Sequence, residues 1–459
     1  MSAPQDSEKT SPLPVIGQSI PYDRFLDCVH CGLCTASCPT YVETGDENDS
    51  PRGRIYLMRS VVDGRLDLTD KVRHHLDLCL DCRSCETACP SGVQYGRLIE
   101  PFRVEMHEAS ADHPTSPAIS RKSPDWFEKW FLHGLFPNRR RIGWALKPAR
   151  WMQMTGLDRV AERIGFNRLL PQRLQRMQEQ LPRLRSPLPE LPSILPARGE
   201  RRARVALFIG CVADAMFRHV HWATARVLQQ NGCEVVIPRN QACCGAIHYH
   251  SGASGPALQL MNQNATVFSA ETVDAIIVNV AGCGAMLKDY PHIEEELRSG
   301  HSQSTHSTHP SLAAFSAKVR DINEFLMSLG PVKPEGRLNL KVAYQDACHL
   351  QHAQRIRQQP RDLLKMIPGI TLCAVNESEL CCGAAGSYNL TQPEMADRLG
   401  QRKIQCLLES APDIIASANA GCSLQLQAQL RRNGLKTAVV HPMELLDLSY
   451  RRASPAELH

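Results

Sequence analysis

The residues of this chain whose type and spacing could support chemistry are its cysteines, 19 among 459 residues. Eight of them form two runs near the N-terminus, in which each fourth cysteine is followed directly by proline. The runs are Cys28, Cys31, Cys34 and Cys38, then Cys79, Cys82, Cys85 and Cys89. Thiolates at this spacing are typical of proteins that hold two [4Fe–4S] clusters, where each run sends its fourth cysteine to the other cluster.

This exchange predicts one cluster held by Cys28, Cys31, Cys34 and Cys89, and a second held by Cys79, Cys82, Cys85 and Cys38. The cross-ligation would bring the clusters close together, as electron transfer between them requires. Structural zinc also binds four thiolates, but usually through two separated Cys-x-x-Cys pairs. A chain this rich in cysteine without an evident export signal is expected in a reducing compartment, which disfavours disulfides. The pattern therefore favours iron.

A second group of cysteines is duplicated in the C-terminal half of the chain. Cys211, Cys243, Cys244 and Cys283 recur as Cys348, Cys381, Cys382 and Cys422 at nearly constant offsets, with glycine after each adjacent pair. This regularity predicts two homologous modules. Four thiolates per copy are enough to hold a conventional cluster. The alternative, a tight turn whose thiols pack as small apolar groups, is equally compatible with the sequence.

The elements that must position these cysteines differ between the two halves. Residues 21–110 are predicted to form a mainly helical, two-cluster ferredoxin-type domain. From residue 201 onward, short β-like runs at 205–209, 275–280, 340–344, 414–416 and 437–440 alternate with helical patterns, which is typical of α/β units. We predict one module at 201–330 and a second at 331–459. The expected fold class is therefore mixed.

Two further segments complete the predicted organisation. Residues 1–20 are polar and interrupted by prolines, so a disordered tail is expected. Residues 111–200 are predicted to be an aromatic, basic helical segment followed by a proline-rich linker, and they contain four of the five tryptophans. The arginines, lysines and aromatics of residues 121–150 are suited to anionic lipid headgroups. They are equally suited to a protein partner, so both interpretations stay open.

Composition excludes several classes of function. A net charge of +5 over 459 residues does not indicate a nucleic-acid partner. No run approaches the roughly 18 apolar residues of a spanning helix, so we expect a cytoplasmic protein that touches the cytoplasmic face of the inner membrane at most peripherally. No Gly-x-Gly-x-x-Gly fingerprint opens a helix after a strand. We therefore predict no catalytic residue and no cofactor contact beyond the cysteines.

The duplicated pattern resembles the CCG modules of heterodisulfide-reductase-like proteins. In that family the pattern is Cys, then Cys-Cys-Gly, then Cys-x-x-Cys, and a complete set can carry a noncubane cluster. Here the final cysteine is replaced by Met286 in the first copy and by Gln425 in the second. The resemblance therefore implies conventional clusters at most, and it argues against a stand-alone disulfide reductase.

The chain as a whole resembles the iron–sulfur subunit of bacterial glycolate oxidase. The resemblance is carried by Cys28-Val-His-Cys31-Gly, Ser50-Pro-Arg-Gly-Arg-Ile-Tyr56, Cys243-Cys-Gly-Ala-Ile-His-Tyr-His250, Cys348-His-Leu-Gln-His-Ala-Gln354 and Cys381-Cys-Gly-Ala-Ala-Gly-Ser-Tyr388. It implies that an FAD-containing partner oxidises glycolate to glyoxylate, while this subunit, inactive alone, passes the electrons toward quinone. The runner-up is the iron–sulfur subunit of an anaerobic glycerol-3-phosphate or lactate dehydrogenase complex.

Overall fold

The structure is a computed structural model that describes residues 16–112, 126–163, 165, 170–184, 188–300 and 310–458. Most of the predicted disordered tail lies outside the described residues. Its last part is packed, however, because Ile16 and Ile20 are buried in the core of the N-terminal domain. The backbone amides of Gly17 and Ser19 donate to the carboxylate of Glu105. For residues 16–20 the prediction of disorder is therefore wrong, since two apolar side chains four residues apart fix the segment.

The N-terminal domain is built from helices and loops. The helices are α1 (Asp23–Leu26), α2 (Pro39–Thr44), α3 (Pro51–Val62), α4 (Asp70–Asp77), α5 (Ser84–Ala88) and α6 (Gly96–Asp112), with a 3-10 turn at Glu47–Asp49. The Ser50 hydroxyl caps α3 by accepting a hydrogen bond from the amide of Gly53 at 2.9 Å. Buried side chains of α3, α4 and α6, among them Met58, Leu76 and Phe102, form the core that supports the cysteine loops.

The described part of the aromatic segment is mainly helical. It contains a π-helix at Glu128–Leu135, then α7 (Arg139–Thr155), α8 (Leu157–Arg163) and α9 (Gln172–Gln180). One side of α7 buries Ile142 and Leu146 in the core of the first module. The linker that follows is partly ordered, because β1 (Ile194–Leu195) pairs with the first sheet. None of the described helices has both the length and the apolar character needed to cross a membrane.

The first module is a five-stranded sheet flanked by helices. In chain order it comprises β2 (Ala203–Phe208), α10 (Val212–Gln230), β3 (Cys233–Val236), α11 (Ala246–His250), α12 (Ser254–Ser269), β4 (Ala275–Val278), α13 (Ala281–Gly300), α14 (Leu312–Lys318), β5 (Val319–Asp321) and α15 (Ile322–Leu329). The strand order is β1-β3-β2-β4-β5. All pairs are parallel except β1 with β3.

The second module repeats this plan with four parallel strands. It comprises β6 (Leu340–Gln345), a π-helix at His349–Ala353, α16 (Gln359–Lys365), β7 (Ile370–Cys373), α17 (Tyr388–Thr391), α18 (Pro393–Leu408), β8 (Ile414–Ser417), α19 (Ala420–Arg432), β9 (Ala438–Val440), α20 (Pro442–Arg451) and a 3-10 turn at Pro455–Leu458. The order β7-β6-β8-β9 matches β3-β2-β4-β5 of the first sheet. The duplication and the mixed fold class are thus confirmed.

The two modules meet through equivalent loops. The amide of Ala281, after β4, donates to the carbonyl of Ala418, after β8, at 3.1 Å. Nearby, Nε2 of His441 donates to the carbonyl of Asn279 at 2.9 Å while its Nδ1 accepts from the amide of Met443 and caps α20. Because each loop follows the carboxyl end of a central strand, the cysteine-bearing edges of the two sheets come together.

The N-terminal domain packs against both modules. Arg97 of α6 forms an ion pair with Asp289 of α13 in the first module. Arg402 of α18 pairs with Glu43 of α2 at 2.9 Å in the second. The phenol of Tyr388 donates to the carbonyl of Leu78 at 2.9 Å. These contacts seat the second cysteine run of the N-terminal domain next to the second module.

Candidate metal centres

The first thiol cavity lies under the loop after α1 and spans about 410 Å³, including space open to solvent at its mouth. Its lining includes the thiols of Cys28, Cys31, Cys34 and Cys89. The cysteine that comes from the other run, Cys89, ends α5 and is followed by Pro90. The structure thus brings together the four cysteines that were predicted to share the first cluster.

The second thiol cavity spans about 310 Å³, including space open to solvent, and is lined by Cys38, Cys79, Cys82 and Cys85. Cys38 precedes α2, where Pro39 occupies the first helical position and needs no hydrogen-bond acceptor for its nitrogen. The two cavities share Cys85, Pro51 and Tyr95 in their walls. They are therefore immediate neighbours, the arrangement that single-electron exchange between two clusters needs.

The loops that carry the two runs share one backbone conformation. The third and fifth residues counted from the first cysteine of each run have positive φ angles: 55° and 84° at His30 and Gly32, and 51° and 60° at Asp81 and Arg83. Left-handed residues at these positions turn the chain so that successive thiols face the same cavity. This conformation explains why two residues separate the first three cysteines of each run.

The cavities differ in their exposure to solvent. Cys31 of the first cavity is exposed, and Cys28, Cys34 and Cys89 are half-buried. In the second cavity Cys38, Cys82 and Cys85 are buried. Burial raises the pKa of the Cys34 thiol to about 11 and that of Cys85 well above its ordinary value. Metal binding must therefore displace protons from these thiols, and the donor sets, four convergent sulfurs each, fit two [4Fe–4S] clusters.

Arg54 places a positive charge at the second cavity. Its side chain is 1% exposed, and its guanidinium donates to the carbonyl of His75 at 2.7 Å and to the hydroxyl of Thr40 at 3.0 Å. One guanidinium nitrogen lies 3.9 Å from the Cys38 sulfur. Burial opposes this charge, but the neighbouring Cys79 thiol is among the groups that raise the pKa of Arg54. An anionic cluster in this cavity would be stabilised by it.

A buried ionic network closes the other side of the second cavity. Arg83 donates to Asp81 at 2.8 Å and pairs with Glu100 at 2.9 Å, and all three are buried. His250 of the first module lies 3.1 Å from the Glu100 carboxylate. Burial opposes its charged form, but the hydrogen bond with Glu100 raises the pKa of His250. The network ties the cysteine loop to the first module.

The duplicated cysteines form two thiol sets at the carboxyl edges of the two sheets. The first CCG thiol set is Cys211, Cys243, Cys244 and Cys283, and the second is Cys348, Cys381, Cys382 and Cys422. Two sulfurs of the first set, on Cys211 and Cys243, are 3.3 Å apart, and the equivalent pair of the second is 3.9 Å apart. Hydrogen bonds from the neighbouring Cys348 and Cys382 thiols hold the pKa of Cys381 well below its usual range. Each set thus has the four sulfurs that a cluster needs.

The positions of the missing fifth cysteines are filled in different ways. Met286 is buried among the apolar residues around the first set. Gln425 is 0% exposed, donates to the carbonyl of Ala396 at 2.8 Å and accepts from Gln180 at 3.1 Å. Neither side chain offers a thiolate, so the five-thiolate site of complete CCG modules cannot form.

Family models cover most of the chain. The model described as "4Fe-4S dicluster domain" matches residues 24–93. The model "Glycolate oxidase iron-sulfur subunit, linker region" matches residues 123–181. The "Cysteine-rich domain" model CCG matches twice, at residues 205–288 and 342–427.

Curated relatives match over nearly the whole length. The probable glycolate oxidase iron-sulfur subunit of Bacillus subtilis is 38% identical over 92% of this chain and 93% of its own. The glycolate oxidase iron-sulfur subunit of Escherichia coli is 33% identical over the same shares. One component of the fumarate reductase (CoM/CoB) of Methanothermobacter marburgensis is 32% identical over 93% of this chain and 73% of its own. The chain therefore belongs to the family of glycolate oxidase iron–sulfur subunits, the electron-transfer components of an oxidoreductase.

Proposed function

We propose that this subunit relays electrons from an FAD-containing partner, which oxidises glycolate to glyoxylate, toward the quinone pool. Cys28, Cys31, Cys34 and Cys89 hold one [4Fe–4S] cluster, and Cys38, Cys79, Cys82 and Cys85 hold the other. The observation that carries the proposal is the pair of adjoining four-thiol cavities with Cys85 in both walls. Clusters of this type carry single electrons, whereas glycolate oxidation releases a pair, so two neighbouring centres suit a flavin donor.

The donor docks at the first thiol cavity. Cys31 at its rim is exposed, and the side chains around it include Val29, Leu33 and Tyr56, which are 67%, 61% and 54% exposed. Large apolar side chains that surround an open redox site favour burial by another protein. The second thiol cavity is covered instead by this chain's own modules. Electrons therefore enter at the first cluster and move inward to the second.

The protein's own residues prepare the second centre for this transfer. Arg54 contributes a buried positive charge beside Cys38, and Arg103 donates to the carbonyls of Leu76 and Cys79 at 2.8 and 2.7 Å. These fixed groups hold the cysteine loop in place and favour the more negative, reduced state of a cluster.

The outer face of α7 supports peripheral contact with the cytoplasmic face of the inner membrane. Arg140, Trp144, Lys147, Trp151 and Met154 follow one another at intervals of three and four residues, and all are exposed. Trp144 is 70% and Trp151 58% exposed, and the Lys147 ammonium lies 3.6 Å from the centre of the Trp144 ring. Packing within the chain uses the opposite face, so it does not account for these tryptophans. Tryptophan alternating with cations suits an anionic lipid surface.

Flotation of the assembled complex with liposomes tests the membrane contact. Vesicles with phosphatidylglycerol should retain the wild type, and the double variant Trp144→Ser/Trp151→Ser should lose most of this binding. The control is Val332→Ser/Leu435→Ser, which removes apolar residues of 42% and 41% exposure from other surfaces. Equal flotation of both variants and the wild type would assign the α7 face to a protein partner.

Glycolate-dependent reduction of a quinone analogue by the purified complex tests the relay. Cys85→Ser should abolish quinone reduction while glycolate still reduces the flavin of the partner. Cys233→Ala is the matched control, because Cys233 is 0% exposed in β3 and lines neither thiol cavity. Quinone reduction that survives in Cys85→Ser contradicts the relay.

The same preparation distinguishes the alternatives. Oxidation of lactate or glycerol 3-phosphate, but not of glycolate, would assign the subunit to a different dehydrogenase complex. Reduction of a disulfide by the isolated chain would make it a reductase of the heterodisulfide type. Genes for FAD-containing subunits next to this one, if found, would favour the glycolate assignment.

A further inference from the structure

The two CCG thiol sets are not electrostatically equivalent, although the modules that hold them are duplicates. In each module, the glycine after the cysteine pair faces an alanine of the following helix. A Cβ on Gly245 would lie 3.5 Å from the carbonyl of Ala257, and one on Gly383 would lie 2.7 Å from that of Ala396. These equivalent contacts show that α12 of the first module corresponds to α18 of the second. Seven residues beyond each alanine, the first module has asparagine at 264 and the second has lysine at 403.

Asn264, which is uncharged, holds the backbone beside the first thiol set through hydrogen bonds. Its side chain is 0% exposed. The Oδ1 atom accepts from the amide of Ala242 at 2.8 Å, and Nδ2 donates to the carbonyl of Cys243 at 2.9 Å. Both ends of the amide are thus used by backbone groups beside the cysteine pair. Nothing in this arrangement requires an anion.

Lys403 brings a buried positive charge to the second thiol set. It is also 0% exposed, and Nζ donates to the carbonyls of Glu377 and Ser378 at 3.2 and 2.7 Å. Within the described part of the chain, no carboxylate forms an ion pair with it. Asp346, the acid whose charge acts on it most strongly, is engaged by Arg361 at 2.6 Å.

A buried ammonium without a counter-charge is costly, and burial accordingly lowers the pKa of Lys403. The thiols of Cys381, Cys382 and Cys422 are also among the groups that act on Lys403 electrostatically. As thiolates on an iron–sulfur core, four cysteines outweigh the charge of the core, and the whole group is anionic. Such a group would supply Lys403 with the counter-charge that no ion pair among the described residues provides.

The two CCG thiol sets also differ in how close they lie to the proposed clusters of the N-terminal domain. Cys82 of the second thiol cavity packs in one buried cluster with Cys348 and Cys381 of the second set. Among the described residues, the buried core around the first set contains no cysteine of the N-terminal domain. Only the second set adjoins a proposed cluster.

We infer that the second module alone binds a third iron–sulfur cluster, through Cys348, Cys381, Cys382 and Cys422, with Lys403 as its buried counter-charge. The four cysteines of the first module stay unmetallated and pack as small apolar groups. The inference rests on the proposed function only in that this cluster would extend the same relay beyond the second cluster.

Iron and acid-labile sulfide in the anaerobically purified full chain test the inference. Three clusters correspond to about twelve irons per chain, and two to about eight. The variant Cys382→Ser/Cys422→Ser should lose about a third of the iron and one EPR signal of the reduced protein. Its counterpart in the first module, Cys244→Ser/Cys283→Ser, should lose neither. Lys403→Met should lower the iron count as the first variant does, whereas Asn264→Leu should not.

The retained eight irons of the N-terminal clusters report whether each variant has folded. If a variant loses all its iron, the iron count and the number of EPR signals of the wild type decide whether a third cluster is present. About eight irons in the wild type, about sixteen, or equal losses from both double variants would overturn the inference. A wild type with eight irons could still reduce quinone with glycolate, so the inference could fail while the proposed function holds. Absence of iron from the wild type would overturn both.

Discussion

Arg54 is the buried cation of the second thiol cavity, and replacing it with methionine should lower the midpoint potential of the second cluster. Methionine has a similar length and no charge, so it removes the electrostatic contribution while filling much of the space. A positive charge favours the reduced form of a cluster because reduction adds an electron. Without Arg54, reduction therefore becomes harder.

The magnitude follows from the geometry. The guanidinium lies 3.9 Å from the Cys38 sulfur, and an added electron spreads over the cluster behind it, at a mean distance of about 7 Å. At an effective dielectric constant of about 20, this interaction is worth about 2 kcal/mol. For a one-electron couple, 59 mV corresponds to a tenfold change in the equilibrium constant. The expected shift is therefore about 100 mV downward.

A redox titration followed by EPR measures the potentials of the clusters in the wild type and the variant. Arg52→Met is the control, because Arg52 lies on the same helix but pairs with Glu47 at the surface, near the first thiol cavity. Solvent screens this charge, so its removal should leave the second cluster unchanged. An Arg54→Met protein in which the second potential stays fixed or rises refutes the electrostatic role.

Three further predictions concern stability. Gly383→Ala should cost about 1–3 kcal/mol more than Gly245→Ala in urea unfolding, because the new Cβ would lie 2.7 Å rather than 3.5 Å from a backbone carbonyl; equal losses would contradict this packing. Burial raises the pKa of Asp321 to about 6, whereas the unfolded residue ionises near about 4. Stability should therefore fall by about 3 kcal/mol as the pH rises from about 4 to 6, and Asp321→Asn should remove this component; a variant with the wild-type pH dependence would count against it. His441→Ala, which removes a cap of α20 and the bond to Asn279, should lower the free energy of unfolding by about 2 kcal/mol, as calorimetry would show; an unchanged melting temperature would exclude this role.

Secondary structure was predictable where patterns were strong. The five β-like runs of the sequence coincide with β2, β4, β6, β8 and β9. The strands β1, β3, β5 and β7, of two to four residues, were missed. Length alone does not separate them from β4 and β8, which also have four residues. β4 and β8 contain continuous apolar runs, whereas β3, β5 and β7 are interrupted by Glu234, Arg320 and Thr371, so their apolar pattern is too weak to predict a strand.

The charged groups around the cavities were less accessible to sequence reasoning. Arg52 and Arg54 look alike in the sequence, where each could raise the potential of the nearby cluster, pair with a partner or be an ordinary surface charge. Two residues apart on a helix, however, they point to different sides, and α3 turns only Arg54 inward. Asp81 and Arg83 lie between cysteines of the second run, where the sequence is compatible both with hydrogen-bond donors near the cluster and with solvated surface, and both are buried. Their partner Glu100 is on another element, and His250 lies in another module.

The sequence by itself determined the type, number and grouping of the thiols, the duplication of the modules and the family. These properties depend on spacing along the chain, which backbone geometry converts directly into loops that converge on one centre. Only the tertiary structure decided which cavity is open, which charges are buried beside it, and that Lys403 and Asn264 make the duplicate thiol sets unequal. Burial and electrostatic environment arise from contacts between residues far apart in the chain, and no local pattern encodes them.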